Sequence, residues 1–210
     1  MRPAIAVLVL AFLASGACGT STSTTAPSAP TSPSNPSSPN PVGSSTFTVM
    51  LKDSPFSDAK ALLVTFSEVN IHASGGNWIT VPFAAGVSSR TCDLKKLETA
   101  QDILGVGTLA AGHYTQLRLV VSSATIYLQN ASSGPACAPT IAAPSGTNAP
   151  VDIPSGEVKL NREFDLASGG ATMILLDFDG DRSVRLTGNG NGQGGGRYMM
   201  TPVIGIVSVN

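Results

Sequence analysis

From Thr46 onward the chain is a succession of short β-branched and aliphatic runs, each closed by Gly, Pro, Asp or Asn. This punctuation restricts the fold most, because such runs suit strands and are too short for amphipathic helices. Thr46 to Leu51 is closed by Asp53-Ser54-Pro55, where Asp and Pro favour a turn. Ala61 to Ala73 alternates at Thr65-Phe66 and at Val69-Asn70-Ile71-His72, and Ser74-Gly75-Gly76-Asn77 reads as a hairpin turn into Trp78-Ile79-Thr80-Val81. In Tyr114 to Val121, Leu117, Leu119 and Val121 share one face and Gln116 and Arg118 the other. Ala124 to Gln129, Val158 to Leu166, Ala171 to Asp179 and Ser183 to Leu186 read as further strands. A Gly/Asn loop, Gly188 to Gly196, precedes a last strand within Arg197 to Val209, interrupted near Pro202. Leu94 to Leu104 is the one helix candidate, short or irregular because Leu94, Leu97 and Ile103 make no sustained stripe. Roughly eight or nine strands without helices between them predict an all-β antiparallel sandwich, an immunoglobulin-like or transthyretin-like Greek key.

The region before Thr46 is not expected to join that core. No charged residue stands between Arg2 and Lys52. Residues 19 to 46 are almost wholly Ser, Thr, Pro, Ala, Asn and Gly, which bury too little apolar surface to offset the entropy of ordering. Pro27, Pro30, Pro33, Pro36 and Pro39 recur at the three-residue period of polyproline II, so the segment reads as a spacer. Ahead of it, the apolar run Ala4 to Leu13 is shorter than the about 20 residues that a membrane-spanning helix needs. The small-residue stretch Ala14-Ser15-Gly16-Ala17 then leads to Cys18. This resembles a bacterial lipoprotein signal, with residues 1–17 removed and Cys18 lipidated, although Ser15 stands where Leu is usual. An ordinary secretory signal is the alternative, and both export the chain. Gly19 after the cysteine favours the outer membrane in a host that has one. The expected domain is therefore 47–210, behind a lipidated cysteine and linker at 18–46.

The separated segments Asp53-Ser54-Pro55, Val64-Thr65-Phe66-Ser67-Glu68-Val69, Gly112 to Leu119, Ile153-Pro154-Ser155-Gly156, Leu176-Asp177-Phe178-Asp179 and Tyr198 to Ile204 resemble, in that order, the domain of unknown function 4382 family. The resemblance implies a β-rich extracytoplasmic domain of bacterial and archaeal secreted proteins and lipoproteins, with no activity attached. This chain departs from the family pattern at the loop around Cys137 and at the Gly run Gly192 to Gly196.

Two cysteines remain in the folded part, Cys92 and Cys137, and in an exported chain they are expected to form a disulfide. Asp177-Phe178-Asp179-Gly180-Asp181 is the most ligand-like cluster, since three alternate carboxylates suit Ca²⁺. It fails the EF-hand pattern, with Gly188 where the closing Glu belongs, and reads rather as a strand end capping a turn. No metal or other cofactor is expected, Ca²⁺ at Asp177, Asp179 and Asp181 being the alternative left open. Ser57-Asp58-Ala59-Lys60 fits S-x-x-K without its companion triplets, and Gly190 to Gly195 fits G-x-G-x-x-G without a following helix. Glu68 and His72 would share a strand face with Asn70 between them, and no nucleophile motif accompanies them or His113.

Charged residues make up 12%, about half the usual share, and no basic patch points to nucleic acid. The expectation is a non-enzymatic, lipid-anchored binding or structural module of the cell envelope, whose partner besides the membrane is a glycan or an envelope protein. One alternative is a carbohydrate-binding module, which needs Trp78, Tyr114, Tyr127 or Tyr198 exposed together. Others are a calcium-stabilised adhesion domain or a hydrolase, the latter needing a cleft that joins Glu68, His72 or the Asp177 cluster to a nucleophile.

Overall fold

The computed structural model describes residues 43–54, 59–188 and 196–210. In chain order the elements are β1 (Ser44–Ser54), β2 (Ala61–Ala73), β3 (Trp78–Thr80), a 3₁₀ turn (Ala84–Gly86), β4 (Arg90–Asp93), α1 (Leu94–Leu97), β5 (Asp102–Ala110), β6 (Gly112–Tyr127), β7 (Cys137–Ala138), β8 (Asn148–Asp152), β9 (Glu157–Leu166), β10 (Ala171–Asp179), α2 (Gly180–Ser183), β11 (Val184–Thr187), β12 (Arg197–Met200) and β13 (Ile204–Val209). They form two sheets. One has the order β13-β10-β1-β5; the other runs β11-β12-β8-β6-β2-β4-β7, with β3 beside β2 and β9 beside β6.

The core lies between the sheets. Phe47, Val49 and Leu51 of β1, with Ile174, Leu176 and Phe178 of β10, are fully buried from one side. Leu62, Val64, Phe66, Val69 and Ile71 of β2, with Leu117, Leu119 and Ile126 of β6, are fully buried from the other. Phe164 of β9 stacks on both Phe47 and Tyr114, each with centroids 5.6 Å apart. In β2 the inward row changes parity, from Leu62-Val64-Phe66 to Val69-Ile71. The cause is a bulge: Phe66 pairs with Val121 and Glu68 with Val120, leaving Ser67 as the extra residue.

The all-β sandwich follows the sequence reading, with specific differences. Two pairings are parallel, β1 with β10 and β12 with β8. Parallel neighbours need long connections, and between β1 and β10 the chain builds most of the second sheet. Among the described residues there are two helices of four residues each, rather than at most one. The predicted helix at Leu94 to Leu104 is helical only to Leu97, and from Asp102 the chain is strand β5, bonded to β1. Leu94 and Leu97 are both buried one turn apart, but Glu98 to Gln101 supply no further large apolar side chain. Two glycines hide β5 in the sequence. A Cβ on Gly105 would lie 3.0 Å from the Pro82 carbonyl oxygen, and one on Gly107 2.9 Å from Pro82 Cδ, so β5 passes against Pro82 where no side chain fits.

The disulfide is present: Cys92 and Cys137 face each other across the β4–β7 pair with sulfurs 2.01 Å apart. Two carboxylates hold the same region. Asp93 is fully buried and accepts from Leu62 N–H and Lys95 N–H, each at 3.1 Å, and from the Ser132 hydroxyl. Asp102 accepts from Cys137 N–H at 3.0 Å and from Arg90 at 3.2 Å. The span 130–150, predicted as loop, thus contains β7 and the start of β8.

Candidate functional site

Strand alternation forces an acid into the core. The inward row of β1 is Ser45, Phe47, Val49, Leu51 and then Asp53, which is 3% exposed. Asp53 Oδ1 accepts the N–H of Gly180 at 3.1 Å, tying the end of β1 to α2. Its other oxygen, Oδ2, is buried and has no hydrogen-bond partner among the described residues. Burial chiefly, then the nearby charges of Glu98 and Asp177, push the carboxyl up to about 8, against the lowering bonds from Gly180 and Ser54. Asp53 is therefore a neutral acid at pH 7, with a proton to place on the unpartnered oxygen.

The outward row of the same strand builds the rim. Lys52 Nζ lies 2.7 Å from Asp177 Oδ2, and the Ser54 hydroxyl donates to Asp177 Oδ1 at 3.1 Å. The parallel register sets Lys52 opposite Asp177 and Ser54 opposite Asp179. Asp179 caps α2, accepting from Arg182 N–H at 2.9 Å, while its own N–H donates to the Val203 carbonyl at 2.9 Å. Val203 N–H in turn donates to the Ser183 hydroxyl at 2.8 Å. Two shallow clefts flank the corner. One of about 300 Å³ is lined by Lys52, Asp53, Glu98 and Thr99, and one of about 360 Å³ by Ser54, Asp177, Asp179, Arg182 and Val203. Three of the separated segments singled out in the sequence, around Asp53, Asp177 and Val203, therefore meet at one end of the four-stranded sheet.

Asp177, Asp179 and Asp181 do not form one oxygen cage. Asp177 and Asp179 project from the outer face of β10, but the strand ends at Asp179 and carries Asp181 into α2. Among the described residues, no group of three His, Cys, Asp or Glu is placed to hold a metal ion.

The remaining candidates are dispersed. Glu68 accepts from Asn70 Nδ2 at 2.9 Å, Asn70 Oδ1 accepts from the Thr80 hydroxyl at 2.8 Å, and His72 Nδ1 lies 3.1 Å from Thr115 Oγ1. Glu68 and His72 share a face, and among the described residues their hydrogen bonds go to Asn70 and Thr115 rather than to each other. His113 pairs with Asp165 at 2.8 Å on the surface. Tyr114 and Tyr127 are buried, and the Arg118 guanidinium lies 4.5 Å from the centre of the Trp78 ring. Trp78 and Tyr198 are partly exposed, on β3 and β12, so the four rings are not all exposed together. Cys18, the linker, Ser57 and Asp58, and the glycine run at 190–195 lie outside the described residues. Lys60 is exposed in the bend just before β2.

Asp53 was legible only as a turn residue. The missed signal is its parity: Phe47, Val49, Leu51 and Asp53 continue one alternating row, and β1 runs on to Ser54.

The fold and its corner define a disulfide-closed two-sheet β-sandwich with one buried, neutral carboxylic acid at the end of its central strand. The model of the family described as "Domain of unknown function (DUF4382)" matches residues 44–202, and the chain belongs to that family. No curated protein and no solved structure matches the chain.

Proposed function

We propose that the protein is a membrane-anchored module of the bacterial cell envelope, exported, held through a lipidated Cys18, and acting by binding or scaffolding rather than catalysis. The observation that carries this reading is the pairing of Cys92 with Cys137. A structural disulfide suits an oxidising, extracytoplasmic compartment, and with Cys92 and Cys137 bonded to each other Cys18 is the remaining cysteine of the sequence. The uncharged, proline-paced segment between Cys18 and β1 suits a tether. Glu68 and His72 bond to different partners, Asn70 and Thr115, and His113 to Asp165, so the carboxylate that would orient His72 as a general base is engaged elsewhere, which favours binding over hydrolysis.

The test is Cys18→Ala expressed beside the parent chain in a bacterial host. The parent is expected in the membrane fraction and the variant in the soluble extracytoplasmic fraction. Equal membrane association of both would remove the anchor from the proposal.

A further inference from the structure

β13 is the outer strand of the four-stranded sheet, bonded to β10 on one side only. Its sequence, Ile204-Gly205-Ile206-Val207-Ser208-Val209, has neither charge nor proline, the usual protections of a sheet edge. The opposite edge is covered: Val106 N–H of β5 donates to the Pro82 carbonyl at 2.9 Å, and Phe83 bridges to Gly105. The nearest edge of the other sheet, β9, is protected by charge at Glu157, Lys159, Arg162, Glu163 and Asp165.

Between β13 and β9 the sandwich stays open as a groove of about 300 Å³. Leu160, Ile204 and Ile206 give it apolar walls continuous with the core, and Lys159 and Arg162 line it as cations. Lys159 lies 3.6 Å from Glu157, while Arg162 has no ion-pair partner among the described residues. The acids Glu163 and Asp165 are drawn toward His113 instead.

We propose that β13 accepts an added strand from another protein: an extended segment with small apolar side chains at alternate positions and an acidic side chain toward Lys159 and Arg162. The proposal rests on the binding-module reading and names its partner class. The outward backbone groups of β13, which no described strand pairs, would bond to any extended chain, and the groove would select alternate side chains. The basic lining selects against a second copy, because twofold pairing at β13 would bring two Lys159–Arg162 pairs together.

The probe is a fluorescein-labelled synthetic peptide of alternating Val and Thr bearing two Asp residues, with a twin in which both are Lys. Both are titrated into the full chain by anisotropy, and amide exchange is read at saturation. The Asp peptide is expected to bind about tenfold more tightly than the Lys twin, since charge reversal turns an attraction into a repulsion of similar size. It should slow exchange in β13, and Arg162→Glu, an exposed change, should narrow or invert the preference. Equal affinity for the twins, binding of neither, protection elsewhere, or self-association that protects β13 without peptide would each overturn the proposal. Acylation of Cys18 is read separately, so an anchored chain that ignores both peptides loses this site and keeps its anchor.

Discussion

Asp53→Asn should make the protein more stable at neutral pH. The folded-state carboxyl titrates at about 8 against an ordinary 3.8, so the fold holds it protonated where the unfolded chain would ionise it. The contribution of a raised acid is fully present below about pH 3.8 and is lost progressively as pH rises to about 8, beyond which it is constant. At about 1.4 kcal/mol per pH unit, keeping the proton at pH 7 costs about 4 kcal/mol. Asn keeps an oxygen for the Gly180 N–H and needs no proton. Its amide leaves an N–H without a partner, a loss of about 1–2 kcal/mol. The net expected gain at pH 7 is about 2–3 kcal/mol. The assay is urea unfolding of parent and variant in steps from pH 4 to pH 9. Taking the difference between them removes the titration of other carboxylates. That difference should grow by about 1.4 kcal/mol per pH unit and flatten above about pH 8. A difference that does not change with pH, or an Asn variant less stable at every pH, would refute a buried, protonated Asp53.

Replacing Cys92 and Cys137 together by Ala should lower stability by about 3–4 kcal/mol, read as the shift in urea midpoint, and reductant should have the same effect on the parent but none on the variant. Arg118→Ala should cost about 0.5–1 kcal/mol and red-shift the emission of Trp78, because the guanidinium covers its ring; unchanged emission would count against the stacking. Millimolar Ca²⁺ should leave the melting temperature unchanged, since Asp177 is already engaged by Lys52 and Ser54, and a rise of several degrees would show a calcium site at Asp177, Asp179 and Asp181.

The sequence made the strands of β2, β9 and β10 legible because each carries an apolar face at period two for most of its length. It concealed β5, where Gly105 and Gly107 serve a close approach to Pro82 and contribute nothing to alternation. The short strand β4 was equally hidden, because Arg90 and Asp93 are buried there by a network that only the fold assembles. Parallel pairing of β1 with β10 is a long-range choice, without a local signature. At the candidate site, turn chemistry in Asp53-Ser54-Pro55 competed with strand parity, and parity won at Asp53. The spacing of Asp177, Asp179 and Asp181 suggested convergence only while β10 was taken to continue past Asp179. The cysteine pair was readable from the expectation of export and the count, yet Asp93 and Asp102, which fix the region around it, carry no pattern that announces the role.

Of the three cysteines, Cys92 and Cys137 are bonded within the sandwich, and Cys18 is the one proposed to carry lipid. Intact-mass analysis of the protein extracted from membranes tests that division in one spectrum. The expected species begins at Cys18, carries the added mass of acyl chains, and lacks the two hydrogens removed by the Cys92–Cys137 bond. A chain without acyl mass, or one beginning elsewhere with Cys18 as a free thiol, would contradict it.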